Sequence, residues 1–570
     1  MKKSAPTKEI LKSIASSVKK LLQQIKNQDE HLLVGLKDMF VVTSSYRFAL
    51  RKVASSLFDS PEMIFKSVID IFSGQHTPQA RYSRHFKSPK WQESPFCYYR
   101  QYFENAYQQV TDNIEALNDV STFDKQQALL FMRLFFEYIA PYNHICFHPE
   151  LLSLTQKERG KNLLRGLDNV LRDLTLWHGY YNITSCPRDK YIPGENIAYT
   201  PGHIIYQNHL MELISYTPQT TDQKGVPILL VTSWINKYYI LDLKQTNSLA
   251  DWLAKQGFHV YIISWNMPDK SFADVTFADY VEQGVLCAID NITSYYQHPA
   301  LHLAGYCLGG TLAASAAAYL AKTKPDTVLS LSLFASMIDF ANAGEMKKLL
   351  GDEQIQAFEN SMKGFGIWNG RKMAAAFNLM DPECNLWLFY QRCYLQGDAP
   401  RANEIIHWGQ DYTHTPETLF KFYMRSLYRD NILISPGKFT VHQTAIDYRD
   451  ITCPVYCLGL QSDDLTPKQA AFDTSRLFTN CRFVLGDGGH LVGILSTPKQ
   501  KLLGYYVEGD CNVTAIDGWQ QRAKYHKGSW WLDWLHWVSP LSGSQAPYPI
   551  AETHTLFKAP GGYVQKSIHS

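Results

Sequence analysis

The chain lacks both a long apolar run and an excess of charge of either sign. Nowhere in its 570 residues do about 18 consecutive apolar residues occur, so no transmembrane helix is predicted. The N-terminus carries lysines but no uninterrupted apolar stretch, which argues against a secretory signal. The 55 basic and 53 acidic residues nearly cancel, so a nucleic-acid-binding surface is not expected. We therefore expect a cytoplasmic protein that acts on small or neutral substrates.

Metal-binding and phosphate-binding motifs are also missing. The 11 cysteines form neither a CxxC pair nor a Cys/His group at zinc-ligand spacing. In a chain of this length they are expected to be free thiols, and no metal site is predicted. No Gly-rich loop of the kind that cradles phosphates is present, so no cofactor-binding residue can be assigned.

The pattern of apolar residues divides the chain into three regions. Residues 1–188 show apolar residues at helical spacing and few strand signals, so a helical N-terminal region is predicted. Residues 189–504 alternate helix-length stretches with short apolar runs, as a mostly parallel, doubly wound α/β sheet requires. These runs read VPILLVTSW, FHVYIISW, PALHLAG, TVLSLSLFAS, CPVYCLGLQ and CRFVLG. Residues 505–570 form an aromatic and proline-rich C-terminal extension.

A cysteine stands at a glycine-flanked corner between an apolar run and an alanine-rich stretch. The segment Gly305-Tyr306-Cys307-Leu308-Gly309 fits the G-x-nucleophile-x-G elbow, in which a strand turns sharply into a helix. The Leu308 amide and the N-terminus of the helix would stabilise a thiolate or a developing oxyanion there. The motif predicts that Cys307 is a nucleophile, with an ordinary tight turn as the alternative.

A nucleophile at such an elbow requires an acid and a histidine, which follow it along the chain in that order. The segment SDDLTP, with Asp463 and Asp464, follows one apolar strand, and GDGGHLVG, with His490, follows the next. Each segment alone is weak evidence, because an Asp pair before Thr-Pro is usually a turn. Together with Cys307 they predict a Cys-Asp-His constellation at successive strand ends.

With these motifs the sequence resembles a known family, the polyhydroxyalkanoate synthases, which polymerise hydroxyacyl-CoA thioesters. The segments that carry the resemblance, besides the two just described, are GYCLGGT, VTSWINKYYILDL from Val231, TPGHIIYQNHLMELISYTP, KSPKWQESPFCYYRQYF, KGSWWLDW and APGGYV. The resemblance covers most of the chain. It implies an α/β-hydrolase fold in which cysteine replaces the lipase-like serine. It also implies that (R)-3-hydroxyacyl-CoA, in particular 3-hydroxybutyryl-CoA, is polymerised through a covalent cysteine acyl-enzyme with release of coenzyme A.

The resemblance assigns roles to individual residues of the constellation. The family's nucleophile falls on Cys307, its general base on His490 and its acid on Asp463. The family usually has Asp followed by His in the acid loop, whereas here Asp463 is followed by Asp464. The spacing back from Pro467 favours Asp463 as the acid, and Asp464 stays open as the alternative.

The oxyanion hole should combine two backbone amides. One is the Leu308 amide, and the second should come from the loop after the VPILLVTS strand, where Thr232, Ser233 and Trp234 are candidates. Between two core strands lies an aromatic-rich insertion, about 339–431, which in the family caps the active site and contributes to dimer contacts. A helical layer that only enlarges the core is the alternative.

The resemblance also implies partners and a location. No cofactor is expected, because the coenzyme A thioester is itself the substrate. The expected partners are the growing polyester chain, the surface of its granule in the cytoplasm, granule-associated proteins and a second copy of the chain. The C-terminal extension, residues 505–570, would complete the catalytic domain.

Two other classes of function remain alternatives. The first is a Cys-dependent α/β hydrolase of the dienelactone hydrolase or polyester depolymerase type, which would not be expected to share WINKYYILDL or APGGYV. The second is a non-catalytic granule-associated protein, which the presence of Cys307, Asp463 and His490 disfavours.

Overall fold

The computed structural model describes residues 7–26, 85–176, 183–295, 298–380, 382–509, 513–543 and 555–567. Parts of two predicted regions, 27–84 of the N-terminal region and 544–554 of the C-terminal extension, lie outside the described residues. Among the residues that are described, no helix is long and apolar enough to cross a membrane.

Within the described residues, one large mixed sheet forms the centre of the molecule. Its strands are β1 (Gly202–Gln207), β2 (Met211–Tyr216), β3 (Ile228–Val231), β4 (Val260–Trp265), β5 (Leu301–Tyr306), β6 (Val328–Phe334), β7 (Val455–Leu460), β8 (Cys481–Gly486), β9 (Gly504–Val507), β10 (Lys524–Lys527) and β11 (Phe557–Lys558). They lie side by side in the order β10-β9-β8-β7-β6-β5-β3-β4-β2-β1-β11. Two short ribbons, Ile367–Trp368 with Thr415–Pro416 and Thr440–Val441 with Thr444–Ala445, lie outside it.

The centre of the sheet is parallel and its two edges are antiparallel. Strands β4, β3, β5, β6, β7 and β8 pair in parallel, and they are the six runs predicted from the sequence. Every residue of β3, β4, β5 and β7 is buried, as expected for parallel strands covered on both faces. The antiparallel edge strands β1, β2, β9, β10 and β11 are additions that the apolar runs did not reveal.

Helices cover both faces of the sheet and form the N-terminal region. The N-terminal region contains α1 (Thr7–Lys26), α2 (Phe96–Ala116), α3 (Thr122–Ile139), α4 (Pro149–Glu158) and α5 (Lys161–Leu176). The helices that follow are α6 (Leu249–Lys255), α7 (Phe277–Asp279), α8 (Cys287–Tyr295), α9 (Leu308–Thr323), α10 (Gly344–Leu349), α11 (Asp352–Met362), α12 (Gly370–Met380), α13 (Glu404–Gly409), α14 (Glu417–Phe422), α15 (Lys468–Ser475), α16 (Ile516–Arg522) and α17 (Trp530–Val538). The described part of the chain also contains π-helical segments, at Tyr280–Leu286, Glu383–Trp387, Tyr390–Leu395 and Tyr423–Arg429. The predicted α/β fold with a helical N-terminal region is therefore confirmed.

Helix α9 follows the elbow and lies in the middle of the core. Its sequence, LGGTLAASAAAYLAKT, is apolar or small almost all round, as expected for a helix buried on every side. Small side chains let the helix approach the sheet closely, and Thr311 donates from its hydroxyl to the Met337 carbonyl at 2.8 Å. The N-terminus of α9 is thereby fixed at the carboxyl end of β5.

The predicted insertion lies between β6 and β7 and contacts the N-terminal region through buried polar groups. We refer to residues 339–431 as the cap. On α5, the side-chain amide of Asn162 donates to the Leu395 carbonyl at 2.8 Å, and that of Asn169 donates to the Cys393 carbonyl at 2.8 Å. These hydrogen bonds would be lost if the cap slid along α5, so they hold the cap and the N-terminal region in one relative position.

Candidate active site

Cys307 is the single residue between the end of β5 and the start of α9. Its backbone has φ 57° and ψ −133°, a region that non-glycine residues rarely adopt. The conformation is held by a hydrogen bond from the Cys307 amide to the Phe334 carbonyl at 3.0 Å. The thiol is therefore directed away from the strand at the carboxyl end of the parallel sheet, as the elbow motif predicts.

The elbow touches the loop that follows β3, which we call the β3 loop (residues 232–237). A Cβ atom added to Gly309 would lie 2.6 Å from the Thr232 carbonyl carbon, so only glycine allows this approach. The β3 loop is buried throughout. The candidate oxyanion residues Ser233 and Trp234 are thus brought next to the N-terminus of α9, where the Leu308 amide lies.

Several hydrogen bonds fix the β3 loop. The Trp265 indole donates to the Thr232 carbonyl at 2.8 Å, and the Ile235 amide donates to the Ser233 hydroxyl at 3.2 Å. The Trp234 ring packs against the rings of Phe277, Tyr280 and Tyr423. A fixed loop is what an oxyanion hole requires, while the choice of amide stays a prediction.

Asp463 and His490 form a buried hydrogen-bonded pair. The His490 Nδ1 and the Asp463 Oδ2 lie 2.7 Å apart. The other carboxylate oxygen of Asp463 accepts from the amides of Leu465 at 2.9 Å and Thr466 at 2.8 Å. The neighbouring Asp464 side chain lies at the exposed surface. The structure therefore brings Asp463, and not Asp464, to the imidazole.

The position of His490 is set by its neighbours. The Tyr306 hydroxyl donates to the His490 carbonyl at 3.1 Å, and the two rings lie 5.1 Å apart. His490 Nδ1 faces Asp463, and the Cys307 sulfur is near enough to the imidazole to raise the pKa of His490. Cys307, His490 and Asp463 thus form one group in which the imidazole can hold the proton of the thiol.

The charge of the imidazole depends on these contacts. Burial alone would lower the pKa of His490, but the carboxylate of Asp463 and the sulfur of Cys307 outweigh it and raise this pKa to about 10. The site therefore favours an imidazolium beside the sulfur and the carboxylate at neutral pH.

This shift predicts how the stability of the protein depends on pH. A histidine in an unfolded chain has a pKa of about 6.5, so a folded value near 10 stabilises the fold fully below pH 6.5. The contribution should fall as the pH rises towards 10 and be absent above it. We expect the difference in thermal midpoint between wild type and His490→Asn to shrink steadily over this range. A difference that grows with pH would contradict the charged imidazole.

Two tyrosines of the cap lie close to the thiol. Tyr423 and Tyr428 belong to the π-helical segment Tyr423–Arg429, and their rings lie 5.0 Å apart. Burial raises the pKa of both phenols, and the nearby Cys307 sulfur raises them further. Sequence reasoning noted the aromatic richness of this insertion but assigned neither residue. The sequence does show that their segment, FKFYMRSLYRDN, is rich in aromatic residues. The fold is needed to show that Tyr423 and Tyr428 lie near Cys307.

The chain is similar to known protein families and to several characterised relatives. Residues 82–253 match the family described as the N-terminus of poly-beta-hydroxybutyrate polymerase (PhaC), and residues 226–497 match the alpha/beta hydrolase fold. A poly(3-hydroxyalkanoate) polymerase of Methylorubrum extorquens is 33% identical over 456 residues, covering 79% of this chain and 75% of the relative. A poly(3-hydroxyalkanoate) polymerase subunit PhaC of Rhizobium meliloti is 31% identical over 492 residues, covering 85% and 80%. The subunit PhaC of Cupriavidus necator is 29% identical over 498 residues, covering 85% and 83%.

Proposed function

Since the chain belongs to the poly(3-hydroxyalkanoate) polymerase family, we propose that it polymerises (R)-3-hydroxybutyryl-CoA through a covalent acyl-enzyme on Cys307. Membership makes the protein an acyltransferase with an α/β-hydrolase fold, and the substrate and the covalent step are the proposal. The observation that carries it is the buried His490–Asp463 pair, with its 2.7 Å hydrogen bond, beside the Cys307 sulfur that raises the pKa of His490.

The first step is acylation of the thiol. The Cys307 sulfur attacks the thioester carbonyl, a new C–S bond forms, and the bond to the coenzyme A sulfur breaks. The proton that His490 has already taken from the Cys307 thiol passes to the departing coenzyme A sulfur. One thioester replaces another, so the step is close to neutral in free energy. The oxyanion would be bound by the Leu308 amide and by an amide of the β3 loop.

The second step forms the ester bond. The 3-hydroxyl of an incoming 3-hydroxyacyl-CoA attacks the acyl-Cys307 carbonyl, so a C–O bond forms and the C–S bond breaks. His490, oriented by Asp463, takes the hydroxyl proton as the thiolate leaves. The lengthened chain now ends in a coenzyme A thioester, which acylates Cys307 again with release of coenzyme A. In this scheme coenzyme A is a product and no cofactor is needed.

Water must be kept from the same carbonyl, because hydrolysis would end the chain. The buried rings of Trp234, Tyr423 and Tyr428 support this proposal, since they belong to the apolar cluster against which Cys307 packs.

A single assay separates the proposal from its main alternative. Purified protein is incubated with (R)-3-hydroxybutyryl-CoA, and free thiol release is followed together with the fate of the acyl group. We expect coenzyme A release to match the appearance of polyester. Release of free 3-hydroxybutyric acid in equal amount would indicate a Cys-dependent hydrolase instead. No release from this substrate, with release from 3-hydroxyoctanoyl-CoA, would correct the chain length alone.

We further propose that the enzyme works as a homodimer on polyester granules in the cytoplasm, together with granule-associated proteins. Light scattering during turnover should show a species of about twice the 65.3 kDa chain mass. A lag in product formation should shorten as the protein concentration rises. An enzyme that is fully active as a monomer at every concentration would contradict the dimer.

A further inference from the structure

The β3 loop contains a buried lysine. Lys237 is 3% exposed, and its ammonium group donates to the Tyr563 carbonyl at 3.2 Å. Burial lowers the pKa of this lysine, whereas the carboxylate of Asp411 opposes that shift. Burying an ammonium group costs free energy unless hydrogen-bond acceptors and opposite charges lie around it. The elements that supply these partners must therefore be held in position around Lys237.

The C-terminal tail (residues 559–567) supplies the first of these elements. The fully buried carboxylate of Glu212 accepts from the amides of Gly562 at 3.2 Å and Tyr563 at 3.0 Å. The Tyr563 hydroxyl donates to the Asn208 carbonyl at 2.7 Å. The carbonyl that Lys237 contacts is therefore anchored on β2 and the residues before it.

The cap supplies the second element, on the same residue. The Trp408 indole donates to the Lys237 carbonyl at 2.7 Å. The Thr413 amide donates to the Ile235 carbonyl at 2.8 Å, and the Tyr239 hydroxyl donates to the Asp411 carboxylate at 2.7 Å. The backbone of Lys237 is thus held by the cap and its ammonium by the tail.

These contacts act on the part of the molecule that faces the nucleophile. The β3 loop passes Gly309 at the elbow, and its candidate oxyanion residues Ser233 and Trp234 lie only three or four positions before Lys237. A small rotation of the loop would turn an amide away from the carbonyl oxygen, and oxyanion hydrogen bonds depend steeply on such geometry.

We propose that Lys237 is a positioning residue for acyl transfer, which ties the β3 loop to the C-terminal tail and the cap so that a loop amide faces the oxyanion formed at Cys307. The inference rests on the proposed function. It gives the C-terminal tail, which contains APGGYV, a role in positioning the β3 loop. The sequence alone does not suggest this role, because the tail is far from Cys307 along the chain.

The test compares two reactions of the same sulfur. Acyl transfer from (R)-3-hydroxybutyryl-CoA creates an oxyanion, whereas alkylation of Cys307 by iodoacetamide does not. In Lys237→Met, which keeps the volume and removes the charge, we expect kcat to fall about 100-fold with KM within twofold of wild type. The rate of alkylation of Cys307 should be unchanged. The matched control is Lys524→Met, since Lys524 lies exposed on β10 in an ion pair with Glu508 and should leave both reactions unaltered.

A second variant keeps the proposal testable if Lys237→Met does not fold. Tyr563→Phe removes only the hydroxyl that anchors the tail, and we expect kcat to fall several-fold with normal alkylation. The proposal is overturned if folded Lys237→Met retains kcat within threefold of wild type, or if acyl transfer and alkylation decline together. Where only Tyr563→Phe folds, an unchanged kcat overturns it. A wild-type enzyme that alkylates normally yet releases no coenzyme A from any 3-hydroxyacyl-CoA would refute the proposed function, and this inference with it.

Discussion

Cys307→Ala is expected to abolish coenzyme A release from (R)-3-hydroxybutyryl-CoA, because it removes the sulfur that would carry the acyl chain. The fold should survive, since Cys307 is half-buried and alanine is smaller than cysteine. Cys307→Ser should retain at most a trace of activity, because an alkoxide is far harder to generate than a thiolate. The measurement is thiol release together with polymer yield, with circular dichroism as the check on folding.

The matched control is another half-buried cysteine. Cys287→Ala, in α8, should keep its activity within twofold of wild type. Iodoacetamide should label Cys307 before the other cysteines and inactivate the enzyme in step with that labelling. Substantial polymer from Cys307→Ala, or inactivation that follows the labelling of a different cysteine, would remove Cys307 from the mechanism.

The centre of the sheet and the elbow could be predicted from the sequence because their signals are local. Buried parallel strands are continuous apolar runs, and all six of them were recognised in this way. The corner at Cys307 is marked by glycines that contact neighbouring backbone directly. Strand β11, by contrast, is only Phe557–Lys558 and pairs with β1 from a distant part of the chain. A two-residue edge strand carries no periodicity from which it could be predicted.

The remaining parts of the site depend on contacts that no local pattern contains. Tyr423 and Tyr428 belong to the buried apolar cluster against which Cys307 packs, and their sequence context differs little from that of other aromatic residues nearby. The sequence assigns no role to Lys237, which lies in the segment VTSWINKYYILDL. Its place between Trp408 of the cap and Tyr563 of the tail becomes visible only when segments more than 150 positions apart in sequence are brought together.

The choice between the two carboxylates also required the structure. The sequence offered Asp463 and Asp464 in one loop, and an extended loop directs neighbouring side chains to opposite sides. The amides of Leu465 and Thr466 both donate to one oxygen of Asp463, which turns its other oxygen to His490. Asp464 is consequently left at the surface.

Asp463→Asn should therefore slow ester formation by about four orders of magnitude. The amide can hold the imidazole, but its NH₂ group facing Nδ1 would force the ring proton onto the nitrogen that faces Cys307. That nitrogen could then accept no proton, and the imidazolium would lose its stabilising carboxylate. Acylation of Cys307 should fall less than elongation, because a thiol ionises far more readily than the 3-hydroxyl that must be deprotonated in the second step.

Asp464→Asn is the matched control, since it makes the same chemical change one residue away at the exposed surface. We expect its polymer yield to stay within twofold of wild type. Radiolabelled (R)-3-hydroxybutyryl-CoA distinguishes the steps: Asp463→Asn should accumulate labelled acyl-enzyme with little polymer, whereas Asp464→Asn should show polymer and no accumulation. If elongation is lost in the Asp464 variant and kept in the Asp463 variant, the 2.7 Å contact between Asp463 and His490 is not the one used in catalysis. The acid would then have to reach the imidazole by a rearrangement of the whole loop.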